Sequence, residues 1–377
     1  MALGSGSAVV LDIGSDSCKV GFAGDHEPKA VISTVVGRQA QQQVSVGGAS
    51  KNYFGQDALN SESTHALSYP VQRGVVTDWD SMEILLDHIF QSKLSIKSQE
   101  RPVLVTETPK NPTENKEKLA EVLFEKFQVP GFFSSCQAVL CLYCAGRTTG
   151  LVLDIGSGVT TAVPVYEGYS LPEAVLRMNV AGQDITEYLT KILSDRGHHF
   201  NTALDKIHVR NIKEKLCYVS LDGTKETQQP PAQTTTSASN YQLPDGKVIS
   251  LADERFQCTE MLFQPDKFGF SEKTGVHQMI NSAISACELD TRKSLYNNVI
   301  LSGGSTQFEG LVNRLKQELK PFGALGAEAR ISAPKDRILS AWSGGSVLAS
   351  LSSFESNWIS KKEYEDSGRQ VVHTRCF

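Results

Sequence analysis

One short phrase occurs twice in the chain, as Val9-Val10-Leu11-Asp12-Ile13-Gly14-Ser15 and as Leu151-Val152-Leu153-Asp154-Ile155-Gly156-Ser157. The copies differ only in their first residue. In each, apolar β-formers run into an aspartate, a glycine and a serine. β-Prone residues then resume, Cys18 to Phe22 after the first copy and Val159 to Val165 after the second. Each copy reads as a hairpin with a polar tip. A single copy would fit an ordinary buried strand ending in a Gly-Ser turn, but two copies point to a duplicated fold with one element repeated in each half. Such a tip offers backbone N–H groups that glycine lets approach an anion, a serine hydroxyl and a carboxylate for a hydrated metal ion. Two tips face to face would clasp a metal-bound nucleotide phosphate chain.

A chain of 377 residues exceeds what one hydrophobic core usually supports, so two domains or lobes are expected. A hydrophobic fraction of 40% suffices for a sizeable core. The net charge of -5, with no Lys/Arg stripe, argues against direct nucleic-acid binding. The eight cysteines are scattered and mostly in apolar surroundings, so they read as reduced, buried thiols rather than a disulfide framework. Cys141-Leu142-Tyr143-Cys144 spells C-x-x-C, but it lies in a helical stretch without a second pair or nearby histidines, which disfavours metal or redox use. No segment reaches the roughly 18 apolar residues of a membrane span. Met1 to Gly6 lacks the basic start and apolar core of a signal peptide. Cytoplasm or nucleus is therefore the expected address.

Gly37 to Ser50 is rich in Gln and Gly and reads as an exposed loop. Asp78 is a natural N-cap, and beyond it Trp79, Met82, Leu85, Leu86, Ile89 and Phe90 share one helical face. A strand is expected over Arg101 to Thr106, followed by helices from Asn115 to Phe127 and from Ser135 to Ala145. After the second hairpin, helices are expected over Asp184 to Leu193 and Val209 to Cys217. The stretch from Asp222 to Asn240 is too rich in Thr, Gln, Ser and Pro to bury itself. Tyr241 to Leu251 reads as a hairpin turning at Pro244-Asp245-Gly246, and Gly275 to Cys287 as a helix. A third constellation, Asn298-Val299-Ile300-Leu301-Ser302-Gly303-Gly304-Ser305-Thr306, is a strand running into a glycine turn, with Phe308 to Leu319 as the helix beyond. That turn suits a flat ligand against its backbone, and a helix N-terminus aimed at phosphate. A plain strand-to-helix turn is the alternative for it.

These residues, with Gly21-Phe22-Ala23-Gly24-Asp25, Tyr166-Glu167-Gly168-Tyr169, Lys213 to Tyr218, Leu243-Pro244-Asp245-Gly246 and the ending Val372 to Phe377, strongly resemble the actin family. The likeness runs from about Val9 to Phe377 and is specific to actins and actin-related proteins, not to the wider superfamily of sugar kinases and heat-shock chaperones. It implies an α/β, two-lobed actin-like ATPase fold, with duplicated sheet and helix subdomains around a central nucleotide cleft. Residues 1–145 would form one lobe, with 339–377 packing back onto it, and 146–338 the other. The implied cofactors are ATP or ADP with Mg2+ or Ca2+. By resemblance Ser15 and Lys19 contact the β- and γ-phosphates, with Asp16 beside them. Asp12 and Asp154 hold water around the metal, and Gly156, Ser157, Gly158 and Val159 lie on the other side of the phosphates. Gly182, Arg210, Lys213, Glu214, Gly303 and Gly304 surround the sugar and base, and Gln137 positions the attacking water. A packing amide is the alternative for Gln137.

Several residues depart from the family pattern. Asp16 replaces a glycine in the first hairpin. It brings a carboxylate toward the phosphates, where at about 4 Å and an effective dielectric near 20 like charges repel by roughly 4 kcal/mol. Affinity should suffer unless Asp16 points away. Ser157 stands for an acid and Thr161 for a histidine near the attacking water, Arg73 for a modified histidine, and Gln307 and Ile338 for a methionine and a lysine near the base. The expected protein is therefore a divergent actin-like structural component of a cytoskeletal or other multiprotein assembly, binding nucleotide with slow or absent hydrolysis. The alternative is a filament-forming ATPase like conventional actin. A small-molecule kinase ranks last, because no catalytic acid stands out beyond the hairpins. Expected partners are actin-family neighbours or actin-binding proteins. They would use a groove near Tyr143, Gly146, Tyr169, Leu348, Leu351 and the C-terminus, in homo- or hetero-oligomers, and core or tail packing is the alternative reading of those residues. The expected address narrows to cytoplasm and cytoskeleton, with the nucleus as the alternative.

Overall fold

The computed structural model describes residues 6–39, 52–62, 65–221, 239–322 and 329–376. Its centre is a duplicated arrangement of strands. The buried strand Val9–Ile13 pairs antiparallel with Ser17–Phe22 and parallel with Val103–Glu107. The buried strand Gly150–Ile155 pairs antiparallel with Thr160–Tyr166 and parallel with Val299–Ser302. Each repeated phrase is thus the middle of its own six-stranded sheet. Strands covered on both faces read as continuous apolar runs, which is why both phrases are so hydrophobic up to the aspartate.

The first sheet runs in the order Ile359–Ser360, Gly131–Cys136, Val103–Glu107, Val9–Ile13, Ser17–Phe22, Ala30–Ser33. The second runs Tyr169–Ser170, Thr160–Tyr166, Gly150–Ile155, Val299–Ser302, Ile331–Ser332, with Leu176–Met178 also on Thr160–Tyr166. Apolar side chains gather into one large core around the first sheet and another around the second. The first draws in Trp342, Phe354, Tyr364 and Val372 from near the end of the chain.

A smaller cluster between them joins Ala138, Val139, Cys141 and Leu142 to Val152, Val163 and Ala341. Here the helix Gln137–Cys144 packs on the helix Ser340–Ser350, so closely that a Cβ on Gly344 would lie 1.8 Å from the Leu140 carbonyl oxygen. Only glycine permits that approach. Trp342 fixes the returning helix by donating from its indole N–H to the Val10 carbonyl at 3.1 Å.

The helix capped by Asp78 spans Trp79–His88, the cap carboxylate accepting from Ser81 N at 3.0 Å. Other expectations shift. Ser135 is not helical: the strand Gly131–Cys136 runs to the residue before Gln137 because it pairs with Val103–Glu107 along its length. The helix expected from Asn115 starts at Thr113 and changes to a π-turn over Val122–Lys126. Helices Gly182–Asp195 and Ala203–Leu216 begin earlier than their apolar patterns suggest. Val36–Gln39, at the head of the expected loop, is a strand between Asn52–Phe54 and His65–Ser68, and residues 40–50 lie outside the described residues. Of the low-complexity stretch, residues 222–238 lie outside them too, and Ser239–Gln242 pairs with Val248–Leu251. No helix of the described residues is long and apolar enough to cross a membrane. The eight cysteines are unpaired; Cys141 donates to the Ser302 hydroxyl while Cys144 is exposed.

Candidate functional site

The two hairpins turn in the same way. Gly14 N donates to Ser17 O at 3.1 Å, and Gly156 N donates to Val159 O at 3.0 Å, leaving the loop pairs Ser15-Asp16 and Ser157-Gly158 at the tips. In the first hairpin Asp12 lies opposite Lys19 in the strand register, and their side chains pair at 3.3 Å. Burial opposes the Lys19 charge, yet Asp12 more than offsets it and leaves the ammonium pKa raised. The buried Asp12 carboxylate also accepts from the Thr106 hydroxyl at 2.6 Å and from Gln137 Nε2 at 3.0 Å. Gln137 therefore reaches the first aspartate, while its amide oxygen holds only a long bond from Thr108, 3.4 Å.

In the second hairpin the residue opposite Asp154 is Thr161, which carries no charge. Burial, reinforced by the Asp12 carboxylate and only partly relieved by a bond from Ser302 and by Lys19, pushes the Asp154 carboxyl up to about 6. The charges of Asp12 and Lys19 thus both reach Asp154 from the first hairpin. Gly303 backs this pair: at φ 86° it takes a left-handed backbone that favours glycine, and a Cβ there would meet Ile155 O at 2.4 Å and Asp154 Oδ1 at 3.0 Å.

The tips touch. A Cβ on Gly158 would fall 2.5 Å from Ser15 Oγ and 3.1 Å from the Arg73 Cα. Ser15 Oγ in turn receives Gly74 N at 2.8 Å. Behind the second tip, Gly182 N donates to Gly156 O at 3.1 Å, Ser305 Oγ to the same oxygen at 2.9 Å, and Gln183 N to Ser157 O at 2.8 Å. The helix Gly182–Asp195 thus starts against the tip. Lys213 donates to Gly182 O at 2.7 Å; burial lowers its pKa, partly countered by Glu214. Val159 is buried at the foot of its strand, and a Cβ on Gly304 would lie 3.4 Å from Ile338 Cδ1. The two hairpin tips and the residues bonded to them therefore meet where the two sheets approach one another.

Of the two outcomes left open for Asp16, the structure gives it a partner away from its own hairpin. Its side chain pairs with Arg210, which also bonds Glu214 at 2.8 Å. Arg210 is thus engaged by two carboxylates, and with its burial more than offset by Asp16 and Glu214 its pKa is raised. Nor is the backbone strained by losing a glycine, since Asp16 is not among the described residues with positive φ. Sequence reasoning missed the Asp184 carboxylate, which receives Arg73 Nη1 at 2.6 Å and Nη2 at 2.8 Å and caps Ala181 N at 2.8 Å. It also missed the link to Asp12 from Thr106, which a polar residue near the end of a buried strand could have signalled. The strand-to-helix expectation after Gly304 changes as well: a 3-10 turn over Gly304–Gln307 precedes the helix Leu311–Leu319. Away from the tips, Tyr169 and Leu351 are exposed, Tyr143 and Leu348 are partly buried against the first core, and Gly146 is in open space.

Set against models of known protein families, the chain matches the actin family, Actin, over residues 4–377. The chain belongs to the actin family. Its fold is accordingly the two-lobed actin fold, and actins generally bind ATP or ADP with a divalent metal. The donor set suits such a group: Asp12 is paired with Lys19, while burial pushes the Asp154 carboxyl, which has no cation across its ladder, up to about 6. Among the described residues no cluster of three or more His, Cys, Asp or Glu side chains stands ready for a metal.

Proposed function

We propose that this actin-family protein binds Mg-ATP or Mg-ADP between its two hairpins and hydrolyses it slowly or not at all, serving as a structural member of a cytoskeletal or other multiprotein assembly. The observation that carries the reading is the meeting of Ser15 with Gly158, at the tips of the hairpins that carry Asp12 and Asp154. In this reading Ser15, Lys19, Gly156, Ser157, Gly158 and Val159 cradle phosphate, and Asp12 and Asp154 hold the hydrated metal. Gly182, Arg210, Lys213, Glu214, Gly303 and Gly304 flank the sugar and base. The metal would supply charge neutralisation on the phosphates.

Slow hydrolysis follows from what surrounds Gln137. Its amide nitrogen is drawn to Asp12 and Thr106, leaving only the weakly held oxygen to orient water. Ser157 and the buried Thr161 offer hydroxyls where an acid and an imidazole would help transfer a proton. The test is ATP affinity and turnover of the purified chain, with a Ser157→Asp, Thr161→His double variant beside it. The reading expects binding with turnover below that of conventional actin and a gain in the double variant, and wild-type turnover at or above actin's defeats it. The exposed Tyr169 and Leu351 favour engagement with neighbours or actin-binding proteins. Sedimentation with Mg-ATP and salt separates a polymer from a monomer or hetero-complex.

A further inference from the structure

Side chains and backbone of the first half reach those of the second at several levels. Arg73 is fastened to the second half by the two-pronged pair with Asp184 and by donation to Gly158 O at 3.2 Å and Asn179 O at 3.0 Å. Arg177 returns the connection, donating to Pro109 O at 3.2 Å and to Arg73 O. At the first tip, Asp16 pairs with Arg210. Farther out, Glu62 accepts from Ala203 N at 2.7 Å at the head of the helix Ala203–Leu216. Beside it, buried Ala58 and Leu59 pack with Ala203 and Ile207.

We infer that the chain fastens its own cleft, so that closure of the two lobes does not depend on bound nucleotide. Arg73 is the main fastener. A planar guanidinium bonded to a carboxylate by two parallel N–H donors resists rotation as well as separation. Because Arg73 also holds Gly158 O, it positions the second tip against Ser15 from the opposite lobe. Asp16 does for Arg210 what a ligand would otherwise do, tying its helix to the first hairpin. The apolar contact of Ala58 and Leu59 adds a patch whose exposure would oppose opening. A hinged pair of lobes opens only if all these contacts yield together.

Closure itself rests on these contacts alone; only the nucleotide arm of its test rests on the function proposed above. Full-length protein is stripped of nucleotide with a chelator and a nucleotide-hydrolysing enzyme. It is then compared with Mg-ADP-saturated protein by small-angle scattering and thermal unfolding, for the wild type and an Arg73→Ala, Asp16→Ala variant. The wild type is expected to keep the same radius of gyration in both states, with midpoints within about 4 °C of one another. The stripped variant is expected to be larger than the saturated variant, with a lower midpoint. An Arg73→Lys variant, which keeps the charge but not the fork, should fall between them and serves if the double variant does not fold.

Expansion or unfolding of the stripped wild type overturns the inference, as does a stripped Arg73→Lys or double variant as compact as wild type. If calorimetry finds no nucleotide binding at all, the proposed function falls. Wild-type and variant sizes then still decide whether the fasteners close the cleft.

Discussion

The two hairpins share a phrase, a turn and a sheet position, yet they solve the same electrostatic problem differently. In the first, Asp12 has Lys19 across the ladder and two further donors, Thr106 and Gln137. In the second, Asp154 faces Thr161 and is left with the Ser302 hydroxyl and a distant share of Lys19. The tips differ too: the position that carries Asp16 in the first is Gly158 in the second. Asp16 points to Arg210, whereas a side chain at 158 would drive into Ser15. The hairpins therefore share a backbone turn but differ in charge, one carrying a compensated carboxylate and an outward-reaching tip, the other a carboxylate with no cation across the ladder and a bare tip.

The largest expected effect attacks the compensated side. Lys19→Ala leaves Asp12 buried without its cation and should cost about 3 to 5 kcal/mol in a denaturant titration at neutral pH; a loss below about 1 kcal/mol would mean that Thr106 and Gln137 suffice. The next concerns Asp154. Its folded value of about 6 lies above the ordinary 3.8, so the folded protein keeps this proton longer than the unfolded chain. The stability it contributes is fully present below about 3.8 and lost as pH rises through about 6. In chelator, the stability of wild type minus that of Asp154→Asn should fall by at most about 3 kcal/mol across that window and then level off; a flat difference curve would contradict the raised Asp154 value. A smaller effect separates the tips. Gly158→Ala should destabilise by about 1 to 3 kcal/mol through crowding against Ser15 and the Arg73 backbone. Asp16→Ala, which removes a partly exposed ion pair, should cost no more than about 1 kcal/mol, and equal losses at both positions would erase the distinction between the tips.

The repeated phrase made the heart of the fold legible, because a buried strand ending in a polar turn has a strong local pattern in both copies. Boundaries were less so. The start of the helix at Gln137 is set by strand pairing of Ser134 and Ser135 with Val105 and Thr106, a tertiary constraint that no local window contains. The 3-10 turn before Leu311 is likewise imposed from outside: Gly310 sits at φ 84° with its Cβ position 2.2 Å from Val219 O. At the site, residues within each hairpin could be read from the phrase, but their partners could not. Asp16 and Arg210, or Arg73 and Asp184, lie more than a hundred residues apart in sequence. Their pairing depends on how the lobes face each other, so which way Asp16 points could not be read from the hairpin alone.

In the proposed function the two aspartates share one metal–nucleotide complex. Titration with Mn2+ in place of Mg2+, followed by electron paramagnetic resonance with and without ADP, measures this directly. One tightly bound ion per chain is expected only when ADP is present, and Asp12→Ala and Asp154→Ala should each weaken it. An ion bound equally well without nucleotide, or unaffected by either substitution, would contradict a site built between the hairpins.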